Sequence, residues 1–304
     1  MRAVVFEEFG GPEVLQAKND VKEPHAGPGE VRVAVKAAGV NPMDFKIRYG
    51  WFDSFMPTTF PAVPGIEVAG VVDQVGEGVT EFAVGDEVAG WSQGGSYAEH
   101  ALLGVAAKKP ANLSWEEAVA VPVAGETAAR VLNELGLKQG ETLLLHGAAG
   151  GVGSVAVQLA VALGATVIGT ASEANHEFLR SLGAIPITYG DGLVDRVKEV
   201  APQGVDAVFD AAGKGGLQES IELRGGTDRI VTIADMAAGD IGVAISSGAV
   251  ADDVKKAGLA EQLQLAADGK LKLAIAKTFA FDDATAAHQT SEAGHNRGKL
   301  VIVP

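Results

Sequence analysis

The chain has 304 residues, 40 of them glycine and none cysteine, with 24 Lys and Arg against 39 Asp and Glu for a formal charge of -15. An acidic surface repels a phosphodiester backbone, so nucleic acid is excluded as the main partner, although amides at a helix N-terminus can still bind phosphate locally. The lack of cysteine excludes disulfides, thiolate nucleophiles and sulfur-ligated zinc, and with neither a signal-peptide pattern nor an apolar stretch of about 18 residues, a soluble cytoplasmic protein with no membrane partner is expected.

From Met1 to about Leu113, short apolar runs broken by glycine and proline (VRVAVKAAGV, VAGVVDQVG, DEVAGW, SYAEHALL) read as strands of a β-rich domain. Helical spacing starts at Ser114, an N-cap with Glu117 as its capping-box partner, so a domain boundary belongs near there. Between residue 141 and about 250 the chain alternates: strand TLLLH, helix VGSVAVQLAVALG, strand TVIGTA, helix HEFLRSLG, strand IPIT, helix LVDRVKEVA, then strands DAVFDAA and RIVTIA. Such alternation requires parallel strands joined by crossover helices. A helix over 251–267, a strand over 271–279, a helix over 282–293 and a last strand over 299–303 complete the chain.

The sharpest local signal is LLLHGAAGGVG at 143–153, a strand running into a glycine-rich turn and an apolar helix. Ala148-x-Gly150-x-x-Gly153 is the dinucleotide fingerprint with alanine in first place. Gly150 lets backbone approach a pyrophosphate, and Gly153 lets helix and strand pack closely. The helix start at Gly151 and Val152 supplies amides and a positive dipole end. A turn that merely joins strand to helix is the competing reading, and the surrounding alternation favours dinucleotide binding. At the end of the next strand, where an NAD enzyme places Asp or Glu on the ribose, stand Thr170, Ala171 and Ser172, with Glu173 one step on. Ser172, Asn175, His176 and Arg180 offer donors to a 2′-phosphate, so NADPH is expected, with NADH as the alternative.

Nearly the whole chain resembles a known family, on the stretches MRAVVFEEFGGP, GVNPMDFKIRYG, PAVPGIEVAGVVDQVGEG, VGDEVAGW, GSYAE, VPVAGETA and GAAGGVG. The family is the zinc-independent quinone oxidoreductases and enone reductases, the zeta-crystallin-like branch of the medium-chain dehydrogenase/reductase superfamily. The resemblance implies an α/β fold: a Rossmann doubly wound parallel sheet over 119–268, and a GroES-like β-rich catalytic domain made from 1–118 plus 269–304. It further implies an active site in the cleft between them, and homodimers or homotetramers joined through the Rossmann sheets. Zinc-dependent relatives carry a cysteine near Asn41 and a histidine in the PGxE stretch, where this chain has Ile66. The six histidines show no i, i+4 ligand pair, so no metal is expected.

Without a metal, the easier reaction is hydride transfer to an electron-poor acceptor, a quinone or a small hydrophobic α,β-unsaturated carbonyl. Charge then builds on the carbonyl oxygen, which needs hydrogen-bond donors in an apolar surround. The resemblance implies Asn41 as a donor to that oxygen or to a nearby ribose, and Asp44 as an orienting group. It implies that Lys46 is directed toward the nicotinamide ribose, which favours enones, and Tyr49, Trp51 and Phe52 are read as an apolar lid over the cofactor ring. The plainer alternatives are a turn residue, a helix cap, a solvated lysine and packing. For the cofactor it implies Thr127 near the nicotinamide and Tyr189 at the 2′-phosphate. It likewise implies Ala211, Ala212 and Gly213 as a strand end beneath the ring, Ile233 at the next strand end, and Arg297 with Lys299 as a basic pair near the cofactor. The rival readings are a zinc-free NADP-dependent carbonyl or alcohol reductase, and a non-catalytic NADPH-binding crystallin-like or regulatory protein.

Overall fold

The N-terminal apolar runs become β1 (Ala3–Val5), β2 (Gln16–Lys18), β3 (Val31–Val40), β4 (Glu67–Val75), β5 (Glu87–Gln93) and β6 (His100–Lys108) in the computed structural model, which describes residues 1–246, 248 and 250–304. Between β3 and β4 lies α1 (Pro42–Arg48), and after β6 come α2 (Trp115–Val119) and α3 (Pro122–Glu134). β3 is long enough to pair antiparallel with both β4 and β6, with Val31 opposite Leu103 and Ala34 opposite His100. The four strands β3 to β6 therefore close on themselves around Val31, Val33, Val35, Val68, Val72, Val88 and Leu103, the period-two pattern that a closed sheet buries. The sequence pattern places 96–103 in a strand, yet the ladder begins at His100: Ala98 bridges Ala3 instead, and the Tyr97 ring goes into the core. Ser114 does cap α2, accepting the Glu117 N–H at 3.1 Å while Glu117 accepts the Ser114 N–H at 2.9 Å.

The alternating region forms β7 (Thr142–His146), α4 (Gly151–Ala162), β8 (Thr166–Thr170), α5 (His176–Ser181), β9 (Ile185–Ile187), α6 (Leu193–Val200), β10 (Ala207–Asp210), α7 (Leu217–Arg224), β11 (Ile230–Thr232) and β12 (Ala244–Ile245). All six strands are parallel, in the order β9-β8-β7-β10-β11-β12. The chain thus winds outward from β7 in one direction and then, from β10, in the other, which leaves a switch point beyond the carboxyl ends of β7 and β10. Both strands are buried along their whole length, as a sheet covered on two faces demands. The sequence pattern does not reveal α7 or β12. LQESIELR offers few apolar positions, chiefly Leu217 and Ile221, and β12 has two residues.

The tail forms α8 (Asp252–Ala267), β13 (Ile275–Ala280), α9 (Ala284–Ala293) and β14 (Lys299–Val303). β14 pairs antiparallel with the end of β3, Val301 opposite Gly39, and β13 runs parallel to β14. The chain divides into two compact units, Met1–Val123 with Asp252–Pro304, and Ala124–Ala251. The resemblance implies a dinucleotide fold that runs to residue 268; in the structure Leu259 and Leu263 of α8 pack with Ala37, Ala69, Ala107 and Val301 of the first unit. Among the described residues no helix is long and apolar enough to cross a membrane.

Candidate active site

In the second unit the glycine loop joins β7 to α4. Gly147 has φ +71, a conformation that favours glycine, and an added Cβ would lie 3.2 Å from the Ala211 carbonyl. A Cβ on Gly153 would run into the Gly147 carbonyl oxygen and sit 2.8 Å from the Ala148 Cα, so α4 approaches the loop as closely as it does only because Gly153 has no side chain. The amides divide into two sets. Ala148 donates to Thr170 O (3.2 Å) and Gly150 to Gly147 O (3.1 Å), while those of Gly151, Val152 and Gly153 open the helix, where no preceding turn supplies an acceptor. The result is a cradle of N–H groups without an acceptor among the described residues, at a positive helix end, the donor set that suits a pyrophosphate.

The neighbouring strand ends are tied down by buried side chains. Asp210 accepts the amides of Ala212 and Gly213 at 2.9 and 3.0 Å and the Thr232 hydroxyl at 2.7 Å. Ile233 donates its N–H to Asp210 O at 3.0 Å, and Thr232 in turn accepts the amides of Ala234 and Asp235. His146, at the end of β7, has its Nε2 2.9 Å from the Ser220 hydroxyl, and burial lowers its pKa. After β8, the Asn175 amide donates to Ser172 Oγ at 3.2 Å. Tyr189 follows β9, the strand paired with β8, and its ring is exposed. Its loop is held by Arg196, which donates to the carbonyls of Thr188, Gly190 and Asp191 at 2.7 to 3.0 Å. Thr127 lies buried on α3, its hydroxyl 3.4 Å from Glu126.

In the first unit the chain turns from β3 into α1 at Asn41, whose extended backbone and following Pro42 start the helix. Asp44 accepts the Asn41 N–H at 2.8 Å and the Tyr97 hydroxyl at 3.1 Å. The Asn41 side chain, 6% exposed, donates through Nδ2 to Glu67 Oε1 at 2.8 Å and accepts from Lys299 Nζ at 2.6 Å. Lys299 and Glu67 also form a buried ion pair, and the second Glu67 oxygen takes the Val123 N–H at 2.9 Å. Burial raises the Asp44 carboxyl to about 7, outweighing the lowering effects of the Asn41 N–H and the Lys299 charge. Lys46 is half-buried, burial lowers its pKa, and among the described residues its ammonium has no hydrogen-bond or ion-pair partner. Tyr49 caps the end of α1, stacks on Trp51 with centroids 6.0 Å apart, and donates to Glu292 at 3.2 Å. Phe52 is instead buried against Phe55.

Both halves of the molecule match known families. The profile of the alcohol dehydrogenase GroES-like domain matches residues 27–129, and that of the zinc-binding dehydrogenases matches residues 182–302. The chain is 36% identical to the 2-methylene-furan-3-one reductase of Solanum lycopersicum, over the whole of this chain and 79% of that protein. It is 34% identical to the chloroplastic NADPH-dependent alkenal/one oxidoreductase of Arabidopsis thaliana, over the whole of this chain and 80% of the relative. The structure of the Escherichia coli quinone oxidoreductase complexed with NADPH superposes with a TM-score of 0.87, at 30% identity and with all of both chains covered. The chain belongs to the medium-chain dehydrogenase/reductase superfamily.

Within this superfamily member, the residues singled out from the sequence gather in two places. Asn41, Asp44, Lys46 and Tyr49 lie on or beside α1. Lys299 joins them from β14, where it is engaged by Asn41 and Glu67, while Arg297 is exposed on the approach to β14. Ala148, Gly150, Gly151, Val152 and Gly153 form the loop, and Ser172, Asn175 and Tyr189 the ends of β8 and β9. Sequence reasoning passes over Glu67, Tyr97, Asp210 and Arg196. For Glu67 a signal exists: a carboxylate set inside the apolar run PGIEVAGVV has to find a buried partner. Among the described residues no group of three or more His, Asp or Glu is gathered as a metal site.

Proposed function

We propose that this protein is an NADPH-dependent, zinc-independent oxidoreductase that delivers hydride to a quinone or an α,β-unsaturated carbonyl. The observation that carries the reading is the cradle at 147–153, whose closest approaches exclude a Cβ and whose free amides stand at the switch point of a doubly wound sheet. The names of the tomato, Arabidopsis and E. coli relatives support both the cofactor and the acceptor class. Thr170, Ala171 and Ser172 end β8 with Glu173 one residue further on, and Ser172, Asn175 and Tyr189 supply neutral donors there for a 2′-phosphate.

Bound NADPH supplies the hydride. The remaining work falls to the chain. The Gly151, Val152 and Gly153 amides would hold the pyrophosphate, and Asp210 and Thr232 keep the two adjacent strand ends in place. Asn41 donates an N–H to the acceptor oxygen as negative charge develops on it, which stabilises the transition state more than the ground state. The Lys46 ammonium, without a partner among the described residues, is a donor suited to ribose hydroxyls. Tyr49 and Trp51 present aromatic faces to a flat, apolar acceptor. Asn41 and Ile66 supply no zinc ligand, so the amide takes over the polarising role that a metal would have. The same reading places the protein in the cytoplasm as a homodimer or homotetramer.

The test is turnover of NADPH and NADH against a panel of enones, quinones and saturated ketones, with product analysis and with a chelator present. Saturated ketones formed from enones, or hydroquinones from quinones, are expected, with NADPH favoured by about tenfold or more, the worth of one or two hydrogen bonds to a charged group, and no effect of the chelator. Alcohols formed from saturated ketones, a preference for NADH, or chelator-sensitive activity would refute it.

A further inference from the structure

The ring around Asn41 is built with a definite polarity. A carboxamide offers one oxygen and one NH2 of nearly the same shape, so packing alone distinguishes its two orientations poorly. Here the oxygen meets the Lys299 ammonium at 2.6 Å and one N–H meets the Glu67 carboxylate at 2.8 Å. Turned over, the amide would set its NH2 against a cation and its oxygen against an anion, both desolvated. Glu67 is itself held by the Val123 N–H and lies against Gly39, where a Cβ would be 2.7 Å from the Glu67 carboxyl carbon. Asn41 cannot shift along the chain either, because its own N–H is held by Asp44. Of the two Nδ2 hydrogens, one is bound by Glu67 and the other has no acceptor among the described residues.

We propose that Glu67 and Lys299 are positioning residues for the reaction: together they lock the Asn41 carboxamide in the one orientation that leaves an N–H free for the acceptor oxygen. Lys299 also strengthens that donor, since a cation on the amide oxygen draws electron density away from the nitrogen. The inference rests on the reading of Asn41 as the donor to the acceptor oxygen. It assigns Lys299 to the acceptor side of the chemistry rather than to the cofactor.

Removing one member of a buried ion pair leaves an uncompensated charge and endangers folding, so the test replaces both. Glu67→Gln with Lys299→Met keeps the volumes and removes the polarity. Four proteins are compared: wild type, this neutral pair, Asn41→Ala, and the combination of all three changes. The readouts are kcat and KM for an enone and the Kd for NADPH. The neutral pair is expected to lower kcat by about tenfold to a hundredfold, the range of a weakened oxyanion donor, with the NADPH Kd within about twofold. In the Asn41→Ala background the same pair is expected to cost less than about twofold, because it acts only through the amide. An equal loss in both backgrounds, or a kept kcat with NADPH binding weakened about tenfold, overturns the proposal. Where the neutral pair does not fold, Lys299→Arg keeps the ion pair, changes the donor geometry and is judged by the same criteria. A wild-type protein that reduces no acceptor removes the underlying reading and this proposal with it, whereas an active wild type without coupling removes the proposal alone.

Discussion

At the carboxyl ends of β7 and β10 the groups offered to a ligand are backbone amides, and side chains such as Asp210 and Thr232 serve only to hold that backbone. Beside α1 the roles are reversed: the Asn41 backbone is already engaged by Asp44, and what is offered is a side-chain amide and the Lys46 ammonium, unpaired among the described residues. The first arrangement depends on empty space, because the closeness of α4 to the loop is set by atoms that Gly147 and Gly153 lack. The second depends on occupied space, because Asn41, Asp44, Glu67, Tyr97 and Lys299 each satisfy another member of the ring. A backbone site is therefore indifferent to pH and intolerant of bulk. A buried side-chain ring tolerates isosteric shape and responds to charge.

The largest effect is expected from bulk in the cradle. Gly153→Val should weaken NADPH binding by roughly a hundredfold, since its clash is with backbone and falls at the upper end of the about 1–3 kcal/mol that overpacking costs, each 1.4 kcal/mol being tenfold. Fluorescence titration of NADPH checks it, and an unchanged Kd would mean the loop is not the pyrophosphate site.

Charge in the ring should matter next. The Asp44 carboxyl sits at about 7 in the folded protein against an ordinary 3.8, so the folded state keeps a proton that the unfolded state releases. Its contribution is fully present below about pH 4, is lost as pH rises to about 7, and stays lost above that. Asp44→Asn can still accept from Asn41 and Tyr97, and it should remove this slope, gaining on the order of a few kcal/mol relative to wild type at pH 8 compared with pH 4. Urea unfolding across that range measures it. Parallel pH profiles for the two proteins would show that Asp44 ionises freely in the fold.

The smallest effect belongs to the exposed rim of the second unit. Ser172→Ala should weaken NADPH by about tenfold, the value of one hydrogen bond to a charged group, while moving NADH by less than about twofold. Equal losses for both cofactors would place Ser172 away from the 2′-phosphate.

The two regions were also unequally legible. The loop is contiguous, and the spacing of Ala148, Gly150 and Gly153 behind a buried strand is enough to identify it. The Ser114 and Glu117 cap is equally local, and it forms as the spacing predicts. The ring is not local: Glu67 lies 26 residues from Asn41, Tyr97 lies 53 from Asp44, and Lys299 lies 258 from Asn41. The family resemblance points to Asn41, Asp44 and Lys299 but not to the contacts that join Lys299 to Asn41 and Glu67, because nothing along the chain announces that β14 pairs with the end of β3. The helix α7 escapes notice for a different reason. Its apolar positions are too few for a periodic stripe, and it exists because β10 and β11 run parallel and need a crossover.

Local sequence thus determined the alternation of strands and helices, the glycine cradle and the absence of sulfur chemistry, since each rests on neighbours within a few residues or on composition alone. Tertiary structure decided which carboxylate and which ammonium share the Asn41 amide, and that α8 belongs with the first unit. Those outcomes follow from burial: a charge removed from water must find its partner wherever the fold brings one, at whatever distance along the chain.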